Sequence, residues 1–447
     1  MRYLQRTLTI IFALPLLLCP EVCSAQSAEQ AAANWHQWRG PDATGVSRTA
    51  TPPVSWSETN NVKWKTPIDG TGRGGPIVWN DRVFLVSAIK TDRVDPDLVP
   101  PEKQPKSNFF DIKKPNAIHQ FVVLCLDRKT GKEIWRQIAN ELIPHDGVHQ
   151  DNDYASASPT TDGKRLYCWF GSAGLFCYDL DGALLWKRDL GKAFMGSSLG
   201  EGCSPVIHDD KLVIVRDQAR QSFIETLDAT TGKTLWKVDR DEDNAWATPR
   251  IIQHSGKTQV ITTGSNFVRS NDLETGKLIW KCSGLTGNCI PCPVIKGDYV
   301  YCMSGYKGYS LMAIPLNETG DISGSKNILW TKDSGTPYIP SPVLYDDLLY
   351  YTQSNQAILT VANADDGEIV VPRKRLSIGN IYSSPVAANG HVYLTGRGGK
   401  TLVLEKAREF KVLSENQIDE RVDASPAVAG NALFLRGQKS LYCIAND

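Results

Sequence analysis

Short apolar runs separated by polar turns recur along this chain from Gly75 to its end. Each unit opens with a small residue followed by proline: Gly75-Pro76, Ser158-Pro159, Ser204-Pro205, Thr248-Pro249, Cys292-Pro293, Ser341-Pro342, Ser384-Pro385 and Ser425-Pro426. An apolar run follows the proline. A polar turn such as Asp209-Asp210 or Lys296-Gly297-Asp298 comes next, then a second run such as Tyr299-Val300-Tyr301-Cys302. A third run ends at an aspartate, and a glycine-bearing turn leads into a fourth. Runs this short, bounded this way, predict strands and not helices. Proline lacks an amide to donate, which a strand start tolerates.

The fourth run carries the clearest repeat. Asp228 to Trp236 reads DATTGKTLW, with close copies at Asp127 to Trp135, Asp179 to Trp186 and Asp272 to Trp280. Trp330 closes a looser copy, and Asp365-Asp366-Gly367 opens a degraded one with Val371 in the tryptophan slot. From Pro159 onward the marker prolines lie 41 to 49 residues apart, the length of a four-stranded propeller blade. The first interval is longer because of Lys90 to Ala117, a polar, proline-bearing stretch that reads as a loop inserted in the first blade. Eight markers predict eight antiparallel blades. Ser425 to Asn446 supplies three strands without a tryptophan strand, while Asn61 to Lys65 is a tryptophan strand without a blade. Pairing them predicts an all-β, eight-bladed β-propeller whose ring is closed by an N-terminal strand. Trp64, Trp135, Trp186, Trp236, Trp280 and Trp330 are then expected to pack between blades, where an indole buries a large apolar area.

The first residues change the picture of where the protein works. Arg2 and Arg6 precede the apolar stretch Leu8 to Leu18, too short for a comfortable membrane span, and small residues end at Ala25. This predicts a signal peptide over 1–25, an N-terminal extension over 26–60 and the propeller over 61–447. The mature chain is expected to be exported, periplasmic or extracellular, with no membrane span. No small residue directly precedes Cys19 or Cys23, which argues against lipidation. Forty-nine basic residues balance forty-nine acidic ones, so bulk charge points to no nucleic-acid partner. Of eleven cysteines nine follow the signal, an odd number that cannot all pair; several are expected to be buried small residues.

The DATTGKTLW-type text with its preceding Ser-Pro resembles the PQQ-like (pyrroloquinoline-quinone) propeller repeat across nearly all of the mature chain. Trp38-Arg39-Gly40-Pro41 followed by Val62 to Ile68 looks like a secreted bacterial subgroup of PQQ-binding-like repeat proteins. The same repeat builds quinoprotein dehydrogenases and the periplasmic lipoprotein that assists outer-membrane protein assembly, so fold leaves function open. The dehydrogenase resemblance implies an adjacent-cysteine disulfide, calcium ligands and a catalytic aspartate. No Cys-Cys pair exists here, and no aspartate matches the catalytic one.

Other clusters are weak candidates. Cys289-Ile290-Pro291-Cys292 lacks a second ligand pair for zinc, which leaves core packing or a local disulfide. His145 and His149 do not form HExxH. Asp151, Asn152 and Asp153 have hard-cation oxygen chemistry but read as a solvated loop, as does Asp241-Glu242-Asp243-Asn244. No catalytic residue and no metal site is assigned.

The remaining candidate is geometric. Loops entering the innermost strands should meet at one channel mouth, bringing together Arg73, His149, Tyr154, Glu201, Asn244, Trp246, Tyr338, Tyr382, Arg421 and Asp423. Aromatic rings mixed with charge suit a recognition surface. The expected function is a non-catalytic binding or scaffold propeller, monomeric, for an envelope protein, peptide or glycan, with no cofactor. The alternative is a PQQ-dependent oxidoreductase using PQQ with calcium at an atypical site.

Overall fold

The computed structural model describes residues 29–106 and 109–446. The expected signal and its cleavage after Ala25 fall outside them. Eight sheets follow one another in chain order. Blade 1 is built from Ile77–Trp79, Arg82–Val94, Ala117–Asp127 and Glu133–Leu142. The innermost strands of blades 2 to 7 are Thr160–Thr161, Val206–His208, Arg250–His254, Val294–Lys296, Val343–Tyr345 and Val386–Ala388. Blade 8 takes Ala427–Ala429, Ala432–Arg436 and Ser440–Ala445 from the C-terminal end, and Val62–Pro67 from the N-terminal side as its outer strand. Its innermost strand meets that of blade 1, which closes the ring. The eight-bladed propeller and its closing strand are as the repeats predict.

Two repeated devices explain why these residues recur. The tryptophan of one blade lies over the next blade's turn and donates its indole N–H to a carbonyl there. The pairs are Trp64 to Arg128, Trp135 to Leu180, Trp186 to Ala229, Trp236 to Leu273, Trp280 to Leu316 and Trp330 to Ala364, at 2.8 to 3.3 Å. Glycine in that turn is required twice over at Gly131. Its φ of +69° suits glycine, and a Cβ there would lie 2.5 Å from the Trp64 ring. The second device is the residue before proline. Around much of the channel its backbone N–H donates to the next blade's hydroxyl: Ser158 to Ser204, Ser204 to Thr248, Cys292 to Ser341, Ser341 to Ser384, and Ser384 to Ser425. A small hydroxyl there closes an amide that the narrowing hub would otherwise leave unpaired.

Three features differ from the sequence reading. Blades 4 and 7 gain a fifth strand, Gly320–Asp321 and Val46–Ser47, both added in parallel. The stretch from Lys90 to Ala117 is not all loop, since Lys90–Val94 continues the second strand of blade 1 and pairs toward Ala117. Cys289 and Cys292 are free thiols, as are the other seven described cysteines, and all nine are buried. Core packing, not a local disulfide, accounts for that motif. No helix among the described residues is long and apolar enough to cross a membrane.

The N-terminal extension is a plug. Trp35 pairs with Val78 of blade 1, and the Thr161 amide of blade 2 donates to the His36 carbonyl at 2.9 Å. Arg39 is 1 % exposed and donates to the carbonyls of Pro385, Thr44 and Pro342. Trp38 reaches the hub, where its indole N–H lies 3.2 Å from Cys292 Sγ. One end of the channel is thereby stoppered.

Candidate functional site

At the unstoppered end, loops from all around the ring enclose a blind cavity of about 190 Å³ with Trp38 among its lining residues. Arg73, His149, Trp246, Tyr338, Tyr382 and Asp423 line it, six of the ten residues expected at the mouth. Tyr154 and Glu201 instead line an adjacent chamber of about 290 Å³ between blades 1, 2 and 3. Trp246 belongs to both, and Gly202 keeps the partition thin. Arg421 lines a small cleft beside Arg73 and Asp423. Asn244 lines none of these spaces; its side-chain oxygen accepts from the Gly196 amide at 3.0 Å and so holds a neighbouring loop.

The mouth's charges form a closed network. Asp423 accepts from Arg73, from Arg397 at 2.7 Å and from Arg421 at 2.9 Å. Arg397 also bonds Asp151 at 2.5 Å, and the Tyr382 hydroxyl donates to the same carboxylate at 3.1 Å. The Arg397 guanidinium lies over the Tyr382 ring, 3.7 Å from its centre, a cation–π contact. Asp153 completes the set 3.7 Å from Arg73. Burial works to raise the Asp151 carboxyl, but Arg397 and Tyr382 outweigh it and hold the group below the usual range. Burial, helped by Asp151, pushes the Tyr382 phenol up. Asp151 so engaged is held ionised and is a poor general base near neutrality.

The adjacent chamber is more apolar. Phe121, Trp169, Phe170 and Met195 form much of its wall. Its main charges again cancel: Arg216 pairs with Glu201 at 3.0 Å, and Glu201 accepts from the amide and hydroxyl of Ser172 at 2.6 Å.

Two acidic stretches read as solvated are partly buried and paired. Asp153 is 8 % exposed and Asp151 is bound by arginine. Glu242, 5 % exposed, pairs with Arg269, while Asp241 pairs with the same guanidinium from the surface. The reason lies in distant strands that bring arginines to them. Arg397 and Trp38 were not among the expected mouth residues. Arg397 sits in the turn between the second and third strands of blade 7. That kind of turn opens on the same end as the loops before the prolines, so strand counting was the available signal. Trp38 had only its place in the WRGP segment.

Among the described residues no group of three or more His, Cys, Asp or Glu side chains is arranged to hold a metal ion. The mouth carboxylates are taken by arginines, and no adjacent-cysteine pair exists.

Comparison with known proteins fits this picture. The family model described as outer membrane protein assembly factor BamB matches residues 119–373, more than half of the chain. The chain belongs to this PQQ-like propeller family. Relatives within it include BamB of Moranella endobia strain PCIT, 22 % identical over 298 residues covering 62 % of this chain and 69 % of that protein. BamB of Yersinia pestis is 22 % identical over 338 residues, covering 71 % and 78 %. Among solved structures, BamB from Moraxella catarrhalis aligns with a TM-score of 0.53 at 14 % identity, over 80 % of this chain and 99 % of that one. Quinohemoprotein alcohol dehydrogenase from Comamonas testosteroni aligns with 0.65 at 11 % identity, over 95 % and 84 %. At such identities the structural likeness speaks for the fold alone.

Proposed function

We propose that this chain is an exported, non-catalytic binding propeller of the cell envelope, whose channel mouth and adjoining chamber receive a segment of a protein or peptide. The observation that carries the reading is the mouth itself: aromatic rings (Trp246, Tyr338, Tyr382) face a charge network whose members satisfy one another. Such a surface offers stacking area and hydrogen-bond rims, with its carboxylates already engaged by arginines. The family relatives named as outer-membrane protein assembly factors support an envelope role with protein partners. A glycan ligand would use the same rings and is the competing occupant. Binding of unfolded envelope polypeptides and of soluble glycans to the purified protein tests the choice, with Trp246→Ala, Tyr382→Ala and Arg421→Ala as variants. Unchanged binding in all three would remove the mouth from the function.

The second reading is a PQQ-dependent oxidoreductase. Its support is the fold similarity to quinohemoprotein alcohol dehydrogenases. Titration with PQQ and calcium, followed by dye-coupled oxidation of alcohols and sugars, separates the two readings. Saturable binding with turnover would displace the binding-module reading.

A further inference from the structure

At the plugged end, the extension and the inner strands of blades 2, 3 and 4 enclose a second cavity, of about 560 Å³. It shares no residue with the mouth or the chamber beside it. Arg250, at the start of blade 4's inner strand, lines it. Other buried arginines of this protein have partners within the chain, although Arg39 and Arg73 each also enclose an Nε without an acceptor. Arg39 and Arg436 donate to backbone carbonyls, Arg216 pairs with Glu201, Arg240 with Asp217, and Arg269 with Glu242. Arg250 differs. Its Nε is likewise enclosed without an acceptor, but among the described residues its whole guanidinium has no hydrogen-bond or ion-pair partner. A mostly buried charge left so is expensive unless something outside the chain completes it.

We infer that this cavity binds a small organic acid through its single carboxylate, with Arg250 as the anion-holding fork. A guanidinium matches a carboxylate in two parallel hydrogen bonds. Burial lowers Arg250 to about 10, partly offset by Asp42, so it stays cationic near neutrality. Burial also brings His36 down to about 4, which leaves that ring neutral. Lys164 also lines the cavity but is exposed, so Arg250 is the enclosed cation. Asp162 and Asp209 also line the cavity and disfavour a dianion such as a phosphate. The space exceeds what a bare ion needs, and its walls include Trp79, Pro41, Pro249 and Ile251, which suit a compact apolar body.

Benzoate is the probe, with benzamide as its neutral isostere and inorganic phosphate as the multiply charged control, titrated calorimetrically into the full mature chain. Saturable benzoate binding is expected, with benzamide and phosphate at least about tenfold weaker. Arg250→Gln should weaken benzoate by about tenfold or more, Arg250→Lys by less, and Tyr382→Ala not at all. Without ligand, Arg250→Gln should melt no lower than the parent, since it removes an uncompensated charge. Benzoate binding that survives Arg250→Gln, or benzamide or phosphate binding as tightly, overturns the inference. A clear drop in the melting temperature of ligand-free Arg250→Gln also overturns it, because the guanidinium would then be a structural member. The mouth variants leave these outcomes untouched, so this site and the proposed function fail separately.

Discussion

The indole N–H of Trp64 donates to the Arg128 carbonyl at 3.0 Å, joining the N-terminal strand of blade 8 to the turn of blade 1. Trp64 is 9 % exposed and its ring contacts Phe434 of its own blade. Trp64→Ala therefore removes both the seal of the ring and a large packed body, at an expected cost of about 3–5 kcal/mol. Trp64→Phe keeps most of the packing and loses the hydrogen bond, costing about 1 kcal/mol of that bond plus lost contact. Urea unfolding checks both.

Gly131→Ala should be far more harmful than Gly191→Ala. Both positions have positive φ, +69° and +75°, so each variant carries the left-handed strain of about 1–2 kcal/mol. Only at Gly131 would the added methyl meet the Trp64 ring and Thr66, whereas nothing lies within 4 Å at Gly191. A melting curve that ranks the two equally would contradict the docking of Trp64 on that turn.

Asp423 is the hub of the mouth, accepting from three arginines while its side chain is 7 % exposed. Asp423→Ala leaves those arginines repelling one another, and a loss of about 3–5 kcal/mol is expected. Arg73→Ala in the same background should recover part of it, since it removes one unpaired charge. A double-mutant cycle in urea measures the coupling.

Asp151 sets a pH dependence. Its folded carboxyl titrates below its unfolded value, so its contribution to stability is fully present above the unfolded pKa and declines as pH falls through the folded one. The stability difference between the parent and Asp151→Asn should be flat near neutrality and shrink as pH falls below about 4. Thermal melts of both proteins across the acid range test the sign.

The nine described cysteines should be inert in the native state. Burial pushes the Cys125, Cys177 and Cys443 thiols up to about 12, and raises Cys168, Cys203, Cys289 and Cys302 as well. A thiol reagent applied to the mature protein should label none when folded and all nine in denaturant.

Much of the fold was legible because a propeller repeats one solution. Proline markers gave the blade count, and the orphan strand at Trp64 gave the closure. The tryptophans were expected between blades, and each indole does donate to the following blade. Val371, in the degraded copy, still pairs in register with Val361, just as Trp330 pairs with Ala313. Val46–Ser47 and Gly320–Asp321 were invisible because two residues carry no periodicity. The mouth was legible only in outline. Counting loops located six of its lining residues, but Asn244 turned to brace a loop and Tyr154 and Glu201 turned to the chamber. Arg73, Arg421 and Asp423 were expected at the mouth, but their pairing, and the part of Arg397 and Asp151, were not, since Arg73 and Asp423 are 350 positions apart and no local pattern couples them.

The plug bears on the order of events when the chain folds. Arg39 is held by carbonyls of blades 6 and 7, and Val62–Pro67 pairs only with Ser440–Ala445. The extension and the Trp64 strand therefore have no resting place until blades 6 to 8 are present. Contacts of such long sequence separation form slowly. The blades between must fold with an edge exposed until a latch closes whose two halves are far apart in the chain.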